Sequence, residues 1–191
     1  MPESIRRRGP GSRAGGNHPT RLELLNAATD LAAAAGIGAL TVSAITSAAG
    51  HAKGTFYVHF DDRTELIVGL HRQFHDDLFA SIEQRTSRLA PGPDRARARI
   101  ECFLDGCRAR PVVRAMLLES RGLPEIIEQV EERDTQAASS LADDLRATTT
   151  HPRETAQLLV SATIEVARQE LSKGRRLPRL RSALLELVPQ D

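Results

Sequence analysis

The chain has 191 residues, 40% hydrophobic and 27% charged, an ordinary globular balance with enough length for one sizeable core or a small module beside a larger one. No apolar run approaches the roughly 20 residues of a membrane span. The basic N-terminus lacks the apolar stretch of a secretory signal, so the cytoplasm is the expected location. Net charge is +1 but uneven: residues 1–60 carry six basic and three acidic side chains, leaving 20 basic and 22 acidic for the rest. A basic N-terminal part suits an anionic partner at that end.

Residues 1–19 are rich in Arg, Gly, Ser and Pro without apolar periodicity, which predicts a disordered basic arm. Structure is expected to begin at Thr20, with Glu23 completing a capping box. Leu24, Ala27, Ala28 and Leu31 follow at helical spacing, and Gly36 ends that helix. Thr41 opens a short helix with Val42 and Ile45 inward, and Gly50 breaks it. A third short helix covers about Ala52 to Val58. Asp62 and Glu65 start a long one reaching about Ser87. Further helices are predicted over approximately 93–107, 111–121, 124–147, 152–173 and 178–188. Pro111, Pro124, Pro152 and Pro178 stand at or near helix starts, where a missing N–H costs nothing. No segment alternates with period two, so the fold class is all-α. The two cysteines, Cys102 and Cys107, lie about 140° apart on a helix. They read as reduced, packed thiols.

Two short helices joined at Gly50 make a helix-turn-helix, whose second helix enters a DNA major groove. The chain's one tyrosine and one of its two lysines sit in that second helix. Phe56 and Phe60 are expected to face the core. Lys53, Tyr57 and His59 then offer charge and hydrogen bonds to phosphates, while Gly54 lets backbone approach backbone.

From about Arg21 to Leu66 the sequence resembles the TetR family of bacterial transcriptional regulators. The match runs through Leu24, Ala27, Ala28, Leu31, Gly36, Thr41, Val42, Ile45, Ala49 and Gly50, then Lys53, Gly54, Thr55, Phe56, Tyr57, His59, Phe60 and Leu66. The resemblance implies a three-helix DNA-binding domain over 20–66 and a helical bundle over 67–191 for ligand binding and dimerisation. It places phosphate contacts at Thr41, Lys53, Tyr57, His59 and Arg63. With Ser43, His51, Ala52, Gly54 and Thr55 these are the expected DNA-binding positions. Three residues depart from the family pattern. Thr46 replaces a small alanine, His51 replaces an apolar turn residue, and Ala52 removes a Ser/Thr cap worth about 1 kcal/mol. The implied partners are double-stranded DNA with a pseudo-palindromic operator, a second copy of the chain, and a small-molecule effector. The implied function is a repressor released from DNA by an apolar or amphipathic effector.

Other features carry two readings each. Arg6, Arg7, Arg8 and Arg13 can enter a minor groove or form a solvated tail. His71 and His75, four residues apart, can hold a metal on one helical face or stand as surface or interdomain histidines. The metal reading, with the fold kept but transcription not regulated, is the alternative to a repressor. No nucleophile elbow, glycine-rich phosphate loop or other catalytic signature is present, and no cofactor is called for. Leu158, Leu159, Ala162, Val166 and Ala167, with a second apolar face over 180–188, are the expected dimer surface. Ligand-cavity candidates are Phe103, Cys107, Met116, Leu117, Ser120, Ile127 and Val130. Glu119 and Glu165 either orient an effector or pair with Arg114, Arg121 or Arg168. With no Trp and one Tyr, the composition suits flexible aliphatic ligands better than planar cations.

Overall fold

The computed structural model describes residues 18–110 and 124–190, in which eight α-helices and one 3-10 turn occur without any strand. The helices are α1 (Pro19–Ala35), α2 (Val42–Ala48), α3 (Lys53–His59), α4 (Arg63–Thr86), α5 (Pro93–Ala109), α6 (Pro124–Leu145), α7 (Pro152–Ser172) and α8 (Pro178–Glu186). Residues 1–17 of the arm expected over 1–19, the segment expected as a helix over 111–121, and Met116, Leu117, Glu119 and Ser120 all lie outside the described residues, whereas His18 and Pro19 of that arm instead open α1. The chain divides into two units, residues 1–70 and 71–191, and the boundary falls within α4.

In the first unit α1, α2, α3 and the start of α4 close over Leu24, Ala28, Leu40, Ile45, Phe56, Phe60 and Leu66, all essentially inaccessible. The start of α1 corrects the expected capping box. Pro19 occupies the first turn, and the cap is His18, whose Nδ1 accepts the Thr20 N–H at 3.3 Å. Glu23 is engaged elsewhere, with His51 at 2.7 Å. Gly36, at φ 76°, ends α1 as expected. At the start of α4 the expected signature holds: Asp62 accepts the Glu65 N–H at 2.9 Å, and Glu65 reaches back to the Asp61 N–H at 2.6 Å.

In the second unit α6 and α7 share the most extensive packing, and α5 packs on both. Ile100, Leu104, Leu141, Leu145, Leu159, Val166, Leu184 and Val188 form the core. Cys102 and Cys107 are buried and form no disulfide, and burial raises the Cys102 pKa. A buried ion cluster joins α5, α7 and α8. Arg181 donates to both Glu170 oxygens at 2.8 and 2.7 Å and to Asp105 at 2.6 Å, and the Leu177 N–H also donates to Glu170 at 2.7 Å. Burial alone would raise the Glu170 pKa, but these donors outweigh it and hold the carboxyl below its ordinary range.

Candidate DNA-reading surface and effector cavity

The turn between α2 and α3 is built by its own backbone. Thr41 caps α2, its hydroxyl accepting the Ala44 N–H at 3.1 Å. At the other end Gly50, at φ 71°, donates to the Ser47 carbonyl at 3.2 Å, and His51 donates to Thr46 at 2.8 Å. This pair of bonds is a Schellman closure, whose next residue usually makes an apolar contact back onto the helix. Here that residue is His51, and its ring is anchored on Glu23 of α1 instead. Buried Thr46 is satisfied within its own helix, donating to the Val42 carbonyl at 2.9 Å. Ala52 caps α3 with no side-chain bond, as its apolar side chain requires.

On α3 the inner and outer faces separate cleanly. Phe56 and Phe60 are sealed in the core with ring centroids 5.3 Å apart. Tyr57 packs edge-on against Phe56 at 5.4 Å yet stays 55% exposed. Thr41, Ser43, Ala52, Lys53, Gly54 and Arg63 are also exposed, with His51 and Thr55 half-buried. Arg63 donates to the Ile37 carbonyl at 3.0 Å. At Gly54 a Cβ would meet no described residue within 4 Å, so the position is open on its outer side.

His59 stands apart from the other expected DNA-binding positions. It is only 5% exposed, its ring lies 5.0 Å from that of His18, and its carbonyl accepts from Arg21 at 2.6 Å. Burial, then the charges of His18, Arg21 and His51, push its pKa below 6.5. Arg21, also buried, was not singled out by the sequence pattern. An arginine in the first turn of an otherwise apolar helix face, facing an aromatic end of α3, was the available signal.

The second unit holds a cavity of about 350 Å³ lined by parts of α4, α5, α6 and α7. Its apolar wall includes Phe79, Ile82, Ile100, Phe103, Val130, Leu141, Val160 and Ile164, and its polar groups include His71, His75, Glu83, Arg99, Arg133 and Asp134. Of the expected ligand residues, Phe103 and Val130 line it. Cys107 is buried but does not line it, and Ile127 is exposed. Glu165 is also outside it: it is exposed and held by Arg168 at 2.7 and 2.8 Å and by Gln169 at 2.9 Å, which lowers its pKa to about 2. The salt-bridge reading of Glu165 is the one the geometry supports. His71 and His75 are not surface residues. They are buried in the cavity wall with ring centroids 4.2 Å apart, and His75 Nδ1 lies 3.0 Å from the His71 carbonyl. Among the described residues no group of three or more His, Cys, Asp or Glu side chains is placed to hold a metal ion.

The expected dimer face is also redrawn. Leu159, Val166, Ala167 and Leu184 are consumed by the core, whereas Leu158 is 73% exposed and Leu187 is exposed beyond α8. One helical step separates Leu158 from Leu159, and the wide apolar composition of α7 hid which faced out.

Comparison with known proteins agrees with this geometry. Residues 24–70 match the family model for bacterial regulatory proteins, tetR family. Over 95 residues the chain is 36% identical to the HTH-type transcriptional repressor KstR2 of Rhodococcus jostii (strain RHA1), covering 50% of this chain and 45% of that protein. The chain therefore matches less than half the length of that curated relative. A crystal structure of a transcriptional regulator from Rhodococcus sp. Rha1 superposes with TM-score 0.74 at 21% identity, covering 88% of this chain and 93% of that one. The fatty acid degradation regulator FadR from Bacillus halodurans superposes with TM-score 0.74 at 18% identity, covering 90% and 95%. At such identities these likenesses establish a shared fold.

Proposed function

We propose that this chain, a TetR-family protein by its N-terminal domain, is a DNA-binding repressor of transcription released from its operator by a small apolar or amphipathic effector. The observation that carries this reading is the division of α3. Phe56 and Phe60 fix the helix from inside while Lys53, Gly54 and Tyr57 are exposed, as are Thr41, Ser43 and Arg63 on the neighbouring elements. In such a motif the second helix enters the major groove, and side chains flanking it hold phosphates. Thr55, Ala52 and His51 are the positions from which bases are read. His59, covered by His18 and Arg21, supports α3 from behind.

The effector enters the cavity of the second unit, and α4 carries the signal. That helix supplies Leu66 and Leu70 to the first core and His71, His75 and Phe79 to the cavity wall. An effector lowers DNA affinity only by preferring one arrangement of such an element over another. A homodimer through α7 and α8, acting in the cytoplasm, presents two reading heads to a pseudo-palindrome, about 34–36 Å apart. The test is a mobility shift with the DNA flanking the protein's own gene, at several salt concentrations. Saturable binding to one duplex over scrambled competitor is expected; no preference for any duplex would sink the reading.

A further inference from the structure

We propose that the cavity of the second unit takes an aliphatic molecule of about a dozen heavy atoms whose polar end is a hydrogen-bond acceptor, above all a carboxylate, seated on Arg133. This rests on the effector-responsive reading above and names the chemistry of the effector. Size comes first: at roughly 30 Å³ for each water-sized atom of a liquid, 350 Å³ accommodates about twelve. The apolar wall from Phe79 to Ile164 rewards any such chain and discriminates little between chains. Selection therefore falls to the polar groups.

Among the described residues two guanidiniums line the cavity, and they differ in the charge they have left to give. Arg99 is held between two carboxylates, its Nε on Asp144 at 3.0 Å and its Nη2 on Glu83 at 3.1 Å, so its charge is already offset. Arg133 uses Nη2 on Asp76 and Nη1 on Gln136 at 3.0 Å, but its Nε is buried and meets no acceptor among the described residues. A guanidinium has donors only, so a partner for Nε must be an acceptor. A carboxylate adds the attraction of opposite charges to such a bond, which a neutral carbonyl lacks. An ammonium offers the Arg133 Nε–H no acceptor.

Calorimetric titration of the full chain with decanoate, 2-decanone and decylamine tests this. Decanoate should bind most tightly, the ketone more weakly and the amine not measurably. Arg133→Gln should weaken decanoate roughly ten- to a hundredfold and the ketone much less. Asp76→Asn, at an exposed site, frees Arg133 of its ion-pair partner and should strengthen decanoate, which keeps the test open if the first variant does not fold. Binding of decylamine equal to decanoate, or an Arg133→Gln loss equal for decanoate and ketone, overturns the proposal. Operator binding by the ligand-free protein is measured in parallel. Specific DNA binding without carboxylate preference refutes this inference alone; absence of DNA binding refutes the regulator reading whatever the calorimetry gives.

Discussion

The Arg21 guanidinium lies 4.0 Å from the centroid of the Phe60 ring and donates to the neighbouring His59 carbonyl at 2.6 Å, tying the first turn of α1 to the end of α3. A lysine keeps the charge but neither the planar stack nor the fork. Arg21→Lys should therefore cost about 1–3 kcal/mol, seen as a lower urea midpoint. DNA affinity should fall with it, since α3 loses its tether. An unchanged midpoint would show that the planar stack and the fork are dispensable and that the positive charge alone suffices.

Gly54 separates folding from DNA binding. No described residue would touch a methyl there, and alanine is the better helix former by about 0.5–1 kcal/mol. Gly54→Ala should raise thermal stability while weakening DNA binding, because the added methyl meets the duplex. Lys53→Ala should leave stability alone and reduce the salt slope of binding by about one unit. Full DNA affinity in Gly54→Ala would mean that α3 does not approach the groove closely.

Acid should weaken the fold through His59. Its folded pKa is depressed by burial and by His18, Arg21 and His51, so the native state holds the neutral ring while the unfolded chain protonates near 6.5. The resulting stability is fully present above about pH 6.5 and drains away as pH falls through the folded value. Urea midpoints at pH 7.5, 6.5 and 5.5 should decline more in the wild type than in His59→Gln. Parallel declines would assign the acid sensitivity to other groups.

Assembly should be broken at Leu158 without harm to the subunit. Leu158→Glu places a charge on an exposed side chain and should give folded monomers by light scattering, with DNA binding lost. Leu159→Glu buries the same charge in the core, where Leu159 is 2% exposed, and should unfold the chain. A dimeric Leu158→Glu would move the interface away from this face of α7.

The Arg181–Glu170 pair should behave as an all-or-nothing unit. Arg181→Met leaves Glu170 buried without its cation and should cost about 3–5 kcal/mol, whereas Arg181→Met with Glu170→Leu should recover much of it. Thermal melts of the three proteins decide this. A double variant as unstable as the single one would show that Asp105 and the Leu177 N–H, not the ion pair, set the junction.

Local signals were read well from the sequence, and long-range ones were not. Thr41, Gly50 and the Phe56–Phe60 spacing each act within a few residues, so the helix-turn-helix is legible from them, while the burial of His59, which depends on Arg21 and His18 at the start of another helix, is not. The prolines at 124, 152 and 178 mark helix starts for the same reason. His18 escaped notice because histidine is an unusual cap, although Pro19 beside it was the clue. The sequence places His71 and His75 at the surface or between domains because imidazole is polar, whereas three other helices form the cavity around them. Arg133 was invisible because only folding brings α6 beside Asp76 of α4.

The scarcity of aromatic residues gives this protein a built-in optical reporter. With no tryptophan and a single tyrosine, nearly all its ultraviolet emission arises at Tyr57, on the exposed face of α3. Quenching of that emission on adding DNA would register contact at the reading helix itself, without a label. Its recovery on adding a carboxylate would follow release in real time.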